Sequence, residues 1–421
     1  MKSVAAIGII LAAVTFVIVV LICVFFYLHV SFVASDRVAT PRPKLNIPFL
    51  KYFANSLDSH SNFTQLAQKY GRSCKEHDVI TLDGFVLKLF HVPGDSRRPV
   101  LLMHGFLDSA DTFIIRGGDS LVTSLAKAGY DVWAGNFRGN KYSRRHIKLD
   151  PDKDTSFWDF SFHEFGIYDL PAVIDFVLLN TGQKSLQAIT HSVGGTSFLV
   201  MGSERPQYNE KIKTHIALAP LCHMSNIEPP LSMILVAEPF FSVLLAVFGK
   251  KEAFGSHSQT ASFIGKFCSI GLIGKPICLE GGIFRLTGRD DEEVKSDFLP
   301  VIFGHYPAGT SMSNVNHLVQ LYLKGKFTQY HDGVFRNLIS FIPFFQSEYG
   351  LSKVTMKTAI FVASNDKVST LKDGELLRKD LPNVVDYRVM GRTQFNHIDF
   401  VWGENMKEYL FPQIFEVLEK Y

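Results

Sequence analysis

The chain is 421 residues long and 47% hydrophobic, enough to bury one large core or two smaller ones. Its 43 basic and 40 acidic residues leave a net charge of +3. This balance, with no Lys/Arg cluster interleaved with aromatic residues, argues against a nucleic-acid partner.

The first 35 residues differ from the rest of the chain. After Lys2, a long apolar stretch contains no Asp, Glu, Lys or Arg. A membrane-spanning helix needs about 20 such residues, whereas the core of a signal peptide needs only about 7–15. The length favours an uncleaved anchor, but Val33-Ala34-Ser35 resembles a signal-peptidase site and basic residues follow the span. We therefore predict an anchor or a long signal peptide at residues 1–35, either of which directs the protein to the secretory pathway.

Three further features bear on the compartment and on cofactors. Asn62-Phe63-Thr64 is an N-glycosylation sequon. Cys268 and Cys278 are close in sequence, so they can pair in an oxidising compartment or remain two buried thiols. No spacing of Cys and His fits a zinc site, and we predict neither a metal ion nor a cofactor.

The pattern of apolar residues predicts the central architecture. Residues 75–93 alternate around Asp83-Gly84, which is a hairpin signal. Continuous apolar runs, typical of strands buried on both faces, follow at 98–106, 130–136, 185–192, 212–220 and 357–366. Helical patterns lie between them, one of which ends at Gly182. The alternation predicts an α/β fold with a mostly parallel sheet and helices on both faces.

The alternation stops between residues 221 and 345. This interval is rich in Phe, Leu and short helical patches, and it contains no clear strand. A segment of that length is too long for a structureless loop in a compact domain, so we predict an inserted helical cap or lid. The predicted organisation is thus 1–35 for the anchor or signal, 36–220 for the first part of the core, 221–345 for the cap and 346–421 for the second part of the core.

The stretch LQAITHSVGG (186–195) places a serine where a predicted strand passes into a helix. In a Gly-x-Ser-x-Gly elbow, glycines two residues on either side of the nucleophile let the chain fold back sharply. Here Gly194 follows Ser192, but Thr190 occupies the first glycine position. Overpacking costs about 1–3 kcal/mol, and a displacement of about 1 Å at a nucleophile can lower the rate about a hundredfold. The motif alone leaves open whether Ser192 is a nucleophile or a serine in an ordinary turn.

The rest of the chain supplies partners for that serine. Asp366 comes directly after the run at 357–364, where folds of this class build their sites. His397 lies in a loop after the next alternating run, which gives the chain order Ser, Asp, His. We therefore predict Ser192 as nucleophile, Asp366 as acid and His397 as base, and we expect the rival acid Asp399 to brace the loop.

The oxyanion of an acyl-transfer reaction needs hydrogen-bond donors. The run at 98–103 ends in His104-Gly105-Phe106, and Val193 directly follows the predicted nucleophile. We predict the backbone amides of Phe106 and Val193 as the two donors.

Several of these segments resemble the acid lipase family, which contains lysosomal acid lipase and gastric lipase. The resemblance spans the chain from about residue 60 onward, and its most specific stretches are HGFLDSADTF (104–113), AGYDVWAGNFRGNKYSRRH (128–146), HYPAGTS (305–311) and FNHIDFVWG (395–403). It implies an α/β-hydrolase fold with a helical cap, and it implies the triad and oxyanion donors named above. Cys268 and Cys278 lie near the cap disulfide of the family.

The chain departs from the family pattern at three places. The family elbow usually begins with Gly where this chain has Thr190, and Gln usually follows the serine where this chain has Val193. The family signal is normally short and cleaved. We expect a serine hydrolase of apolar esters, such as triacylglycerol or sterol esters, acting at a lipid surface. It would be membrane-anchored with a luminal domain, or lysosomal or secreted if the N-terminus is cleaved. The alternatives are a weak or inactive lipid-binding protein of the same fold, and an acyltransferase using the same triad.

Overall fold

The computed structural model describes residues 57–238, 251–255, 267–268, 274–330 and 347–421, which fall within one compact unit. Among these residues, no helix is both long enough and apolar enough to cross a bilayer. The anchor or signal peptide predicted at 1–35 lies outside the described residues.

An eight-stranded sheet forms the centre of this unit, in the order β1-β2-β4-β3-β5-β6-β9-β10. The strands in chain order are β1 (Lys75–Ile80), β2 (Val86–Val92), β3 (Asp95–Met103), β4 (Tyr130–Gly135), β5 (Leu186–His191), β6 (Ile212–Leu218), β7 (Glu252–Ala253), β8 (Thr310–Ser311), β9 (Thr358–Val362) and β10 (Val384–Val389). β1 and β2 form the predicted antiparallel hairpin, β2 is antiparallel to β4, and the other neighbours in the sheet are parallel. The mostly parallel sheet predicted from the apolar runs is confirmed.

Helices and helical turns surround the sheet. The α-helices are α1 (Leu57–His60), α2 (Phe63–Lys69), α3 (Leu121–Lys127), α4 (Phe162–Glu164), α5 (Leu170–Thr181), α6 (Val193–Glu204), α7 (Phe284–Thr287), α8 (Leu299–His305), α9 (Met312–Lys324), α10 (Leu371–Asp380), α11 (Asp399–Trp402), α12 (Met406–Tyr409) and α13 (Phe411–Lys420). Residues 231–238 are also helical. Gly182 ends α5 with φ 69°, a conformation that glycine adopts without a Cβ clash, so the predicted helix stop is confirmed.

Both faces of the sheet are covered by apolar side chains. Every residue of β5 and β9 is buried, as expected for parallel strands between two layers of helices. Along β5 the faces alternate: Ile189 joins the core on one side, together with Phe395 and Ile398, and Ala188 joins the core on the other side with Phe198. A shift of one residue in register would exchange these faces, so burial specifies the register of β5 strongly.

Residues between β6 and β9 contain most of the structure that the sequence did not predict. The two-residue strands β7 and β8 pair there, which corrects the expectation of no strand in this interval; two residues are too few to produce a period-two pattern. The structure joins Cys268 and Cys278 in a disulfide. A wider π-type helical segment, Gly274–Ile283, also lies in this interval, and a second one, Phe165–Asp169, lies between β4 and β5.

The parallel strands end together at one edge of the sheet. Met103 at the end of β3 pairs with Thr190 near the end of β5, and His191 pairs with Leu218 at the end of β6. Leu218 in turn pairs with Phe361 of β9. The loops that leave these strands therefore meet at this edge, which is where open α/β sheets place their sites.

Candidate active site

Ser192 lies in a sharp turn between β5 and α6. Its backbone has φ 53° and ψ −121°, a region that residues other than glycine rarely occupy. The Ser192 amide donates to the Leu218 carbonyl oxygen at 2.9 Å, and α6 begins at the next residue. A strained backbone of this kind costs about 1–3 kcal/mol and persists only where its surroundings hold it. The local geometry is that of a nucleophile elbow.

The turn sits directly against the end of β3. A Cβ added to Gly194 would lie 2.5 Å from the Met103 carbonyl oxygen, so only glycine fits without a backbone shift. A Cβ on Gly105 would lie 3.1 Å from the Ser192 Cβ, which is tighter than ordinary contact. These two glycines let the loop after β3 approach the elbow closely.

The structure brings the three predicted triad side chains together. His397 Nε2 lies 3.0 Å from Ser192 Oγ, and His397 Nδ1 lies 2.8 Å from Asp366 Oδ2. All three residues are buried. A base that bridges a serine hydroxyl and a carboxylate has the geometry required for nucleophilic catalysis.

The acid is fixed by its own loop. Asp366 Oδ1 accepts hydrogen bonds from the backbone amides of Val368 and Ser369, both at 2.8 Å, which leaves Oδ2 for His397. Asp399 instead accepts from the Asn396 amide at 2.8 Å, and it begins helix α11. Burial, with the nearby Asp290 and Glu293 carboxylates, raises the pKa of Asp399 well above its usual range. Asp399 therefore contacts the backbone of the His397 loop, and Asp366 contacts the imidazole.

Two backbone amides beside Ser192 remain available as donors. Among the described residues, neither the Phe106 amide nor the Val193 amide has a hydrogen-bond acceptor. Val193 is the first residue of α6, where backbone amides have no partner within the helix and favour a bound anion. The Phe106 amide directly follows Gly105, which packs against the elbow. Both amides are thus free to stabilise an oxyanion.

Thr190, which occupies the usual glycine position of the elbow, has a buried partner. Its Oγ1 lies 2.8 Å from Nε2 of His215 on the neighbouring strand β6, and both residues are completely buried. His215 stacks on Phe198 with a centroid distance of 4.6 Å. Burial lowers the pKa of His215 to about 3, so the ring is neutral near pH 7. The threonine hydroxyl therefore satisfies a histidine nitrogen that would otherwise be unpaired.

The last residue of α7 joins the loops of the acid and the base, a contact that the sequence did not predict. The Thr287 carbonyl accepts from the His397 amide at 3.4 Å and from the Lys367 amide at 3.5 Å. The next residue, Gly288, has φ 108°, and a Cβ there would lie 2.1 Å from the Asn365 carbonyl oxygen. No sequence motif marks these contacts except the glycine itself.

Within the described part of the chain, no group of three or more His, Cys, Asp or Glu side chains is arranged to hold a metal ion. The groups that meet at this site are the Ser192 hydroxyl, the His397 imidazole and the Asp366 carboxylate.

Comparisons with known proteins agree with this fold. Residues 98–266 match the model of the alpha/beta hydrolase fold, and residues 63–117 match that of the partial alpha/beta-hydrolase lipase region. The chain is 37% identical to Lipase 1 of Drosophila melanogaster over 86% of this chain and 81% of that protein. It is 33% identical to human Lipase member K and 32% identical to rat gastric triacylglycerol lipase, each over 86% of this chain and 92% of the relative.

Solved structures show the same fold at much lower identity. An esterase from Exiguobacterium antarcticum superposes with a TM-score of 0.50 at 12% identity, covering 82% of this chain and all of that chain.

Replacement of Thr190 by Gly tests the Thr190–His215 hydrogen bond. The change leaves a buried nitrogen unpaired, so we expect the free energy of unfolding to fall by about 1–3 kcal/mol. We expect kcat of the folded protein to rise or hardly change. The control Thr190→Ser keeps the hydroxyl and should retain most of the stability in chemical denaturation. A large loss of kcat in Thr190→Gly without a loss of stability would contradict this account and make the threonine a working part of the elbow.

The neutral His215 also predicts a pH dependence of stability. Between pH 6.5 and about 3 the unfolded chain takes up a proton at this residue that the folded chain does not. Its contribution is complete above pH 6.5 and falls by up to about 1.4 kcal/mol per pH unit as the pH decreases. We expect His215→Gln to flatten the curve of unfolding free energy against pH by that amount between pH 6 and about 4. Parallel curves for the variant and the wild type would contradict this account, because they would show that His215 binds its proton equally well in the folded and the unfolded chain.

Proposed function

The chain belongs to the acid lipase family of α/β-hydrolases and is an ester hydrolase of the lipase type, and we propose that it acts through a triad of Ser192, His397 and Asp366. The observation that carries this proposal is the position of His397, with one ring nitrogen 3.0 Å from the Ser192 hydroxyl oxygen and the other 2.8 Å from the Asp366 carboxylate. The family models and the relatives confirm the resemblance that the motifs indicated.

The proposed reaction follows from these contacts. His397 Nε2 takes the proton of Ser192 Oγ as that oxygen attacks the ester carbonyl carbon. The imidazolium then gives this proton to the departing alcohol as the ester C–O bond breaks, which leaves an acyl group on Ser192. Water, deprotonated by His397, attacks the acyl carbon, and the fatty acid leaves as Ser192 regains its proton. Asp366 holds the Nδ1–H tautomer and stabilises the imidazolium.

The Phe106 and Val193 amides would bind the oxyanion at each tetrahedral intermediate. Their lack of an acceptor among the described residues supports this role, because donors without a partner gain most from the negative charge that develops there. They are main-chain groups, so the Val side chain at position 193 does not remove the donor.

We infer that the substrate is an apolar ester, such as a triacylglycerol or a sterol ester, taken from a lipid surface. Lys367 directly follows the proposed acid, and its carbonyl oxygen accepts a hydrogen bond from the Glu228 amide. Glu228 lies just before the helical residues 231–238, so this bond holds the start of that helix beside the loop of the acid. Met233 and Val236, one turn apart on that helix, are 48% and 60% exposed. Apolar side chains next to a site favour an apolar ligand. The name of the rat relative, gastric triacylglycerol lipase, is consistent with this class.

We further propose that the protein enters the secretory pathway and carries a helical cap within residues 221–345. The Cys268–Cys278 disulfide supports an oxidising compartment. Asn62 is exposed at the start of α2, where its Oδ1 caps the helix by accepting from the Gln65 amide at 2.9 Å. This cap leaves the amide nitrogen of Asn62 available for a glycan.

Substitution of Ser192 tests the proposed mechanism. Because the acyl-enzyme needs this oxygen, we expect Ser192→Ala to lower kcat/KM for a soluble p-nitrophenyl ester by at least about a thousandfold and to abolish labelling by a fluorophosphonate probe. Asp366→Asn should reduce the rate by a similar order while leaving the fold intact. The matched control is Asp399→Asn, the same substitution at the rival acid, and this variant should retain labelling by the probe.

The other functions predict different results. Lipid binding by a wild-type protein that neither turns over esters nor reacts with the probe would show a lipid-binding protein of the same fold. Ester products formed with an added alcohol in preference to fatty acid would show an acyltransferase.

Glycosylation at Asn62 is testable with two variants that separate the glycan from the helix cap. In secreted or luminal protein from a eukaryotic cell, we expect Asn62→Gln and Asn62→Asp both to remove the mobility shift caused by a glycosidase. Asn62→Gln also removes the cap and should lower the unfolding free energy by about 1 kcal/mol relative to Asn62→Asp, whose carboxylate can still cap α2. Wild-type protein that shows no glycosidase shift would contradict the proposed site.

A further inference from the structure

His191, the residue before the proposed nucleophile, lies on the opposite face of β5 from Thr190. It is 5% exposed, and it points to the layer that holds Phe395 and Ile398, on either side of the proposed base. Its ring centroid lies 4.8 Å from that of His397, with the rings tilted by 44°. The last residue of the elbow strand is thus in direct contact with the residue that acts on Ser192.

The two nitrogens of His191 have different surroundings. Nε2 lies 3.0 Å from the main-chain carbonyl oxygen of His397, and a carbonyl only accepts, so the proton of the neutral ring belongs on Nε2. Nδ1 is buried and has no hydrogen-bond partner among the described residues. It faces Gly105, where an added Cβ would lie 3.0 Å from it.

A buried nitrogen without a partner costs about 1–3 kcal/mol that an apolar side chain of similar size would avoid. Among the described residues the Nε2–H is the one polar group of this ring with a partner, so what the ring offers beyond packing is its hydrogen bond to the His397 carbonyl. We propose that His191 is a positioning residue, which holds the main chain of His397 against the elbow so that Nε2 of the base stays within hydrogen-bond distance of Ser192 Oγ.

The same surroundings keep His191 neutral while the base changes charge. Burial, together with the charge that His397 acquires, lowers the pKa of His191 well below its usual range. The nearby His104 is also neutral near pH 7, since burial lowers its pKa to about 4. Neither ring adds a positive charge beside the imidazolium, so His191 acts through its hydrogen bond.

This inference rests on the proposed function, because it requires His397 to be the base. The test compares His191→Gln with His191→Met in the full-length protein. The two side chains are nearly the same size and shape, but only Gln carries a terminal N–H to donate to the His397 carbonyl. The measurements are kcat and KM for a soluble p-nitrophenyl ester, normalised to the fraction of folded protein, and the rate of fluorophosphonate labelling.

We expect His191→Met to lower kcat and the labelling rate by about tenfold or more, with KM within about twofold, because the base is displaced from the nucleophile. His191→Gln should recover most of the loss. Equal kcat in the two variants would overturn the positioning role, since packing alone would then explain any change. Activity retained in Ser192→Ala would overturn the proposed function, and with it the positioning role. That result does not depend on the His191 variants, so the two failures can be told apart.

Discussion

The close approach of two backbones, at the end of β3 and at the turn after β5, is the constraint on which the site depends. Gly194 lies so close to the Met103 carbonyl that a Cβ would be 2.5 Å from it. This contact places the loop after β3, which carries the Phe106 amide, beside the elbow that carries Ser192. The strain at Ser192 is held by the burial of the surrounding strands and by the bond to the Leu218 carbonyl.

The alternation of β5 connects this constraint to both layers of the fold. Thr190 points to one face, where its hydroxyl contacts His215, and His191 points to the other, where it contacts the carbonyl of His397. Each residue before the nucleophile therefore links the elbow to a different part of the core. Because the strand before Ser192 is held on both faces, the turn can position the serine oxygen to within the tolerance that catalysis requires.

Much of this arrangement was predictable from local pattern and chain order. The apolar runs predicted the strands of the sheet, and the position of Asp366 after a buried strand distinguished it from Asp399, which lies two residues from His397 and contacts the backbone instead. The long-range contacts were not predictable. From the sequence, Thr190 was only a residue that crowds the elbow. Its hydrogen bond could not be predicted, because the partner, His215, lies 25 residues away on another strand. Likewise, no local pattern joins His191 to a carbonyl 206 residues away, or Thr287 to the loops of the acid and the base.

The most direct test of the central claim is to trap the acyl group on the protein. Wild-type protein is mixed with a p-nitrophenyl ester, quenched in acid within the first turnover, digested and examined by mass spectrometry. The account predicts one added acyl group, located on the peptide that contains Ser192, at a level that matches the initial release of p-nitrophenol. Release of p-nitrophenol with the acyl group on another residue, or with no acylated peptide at any quench time, would contradict it.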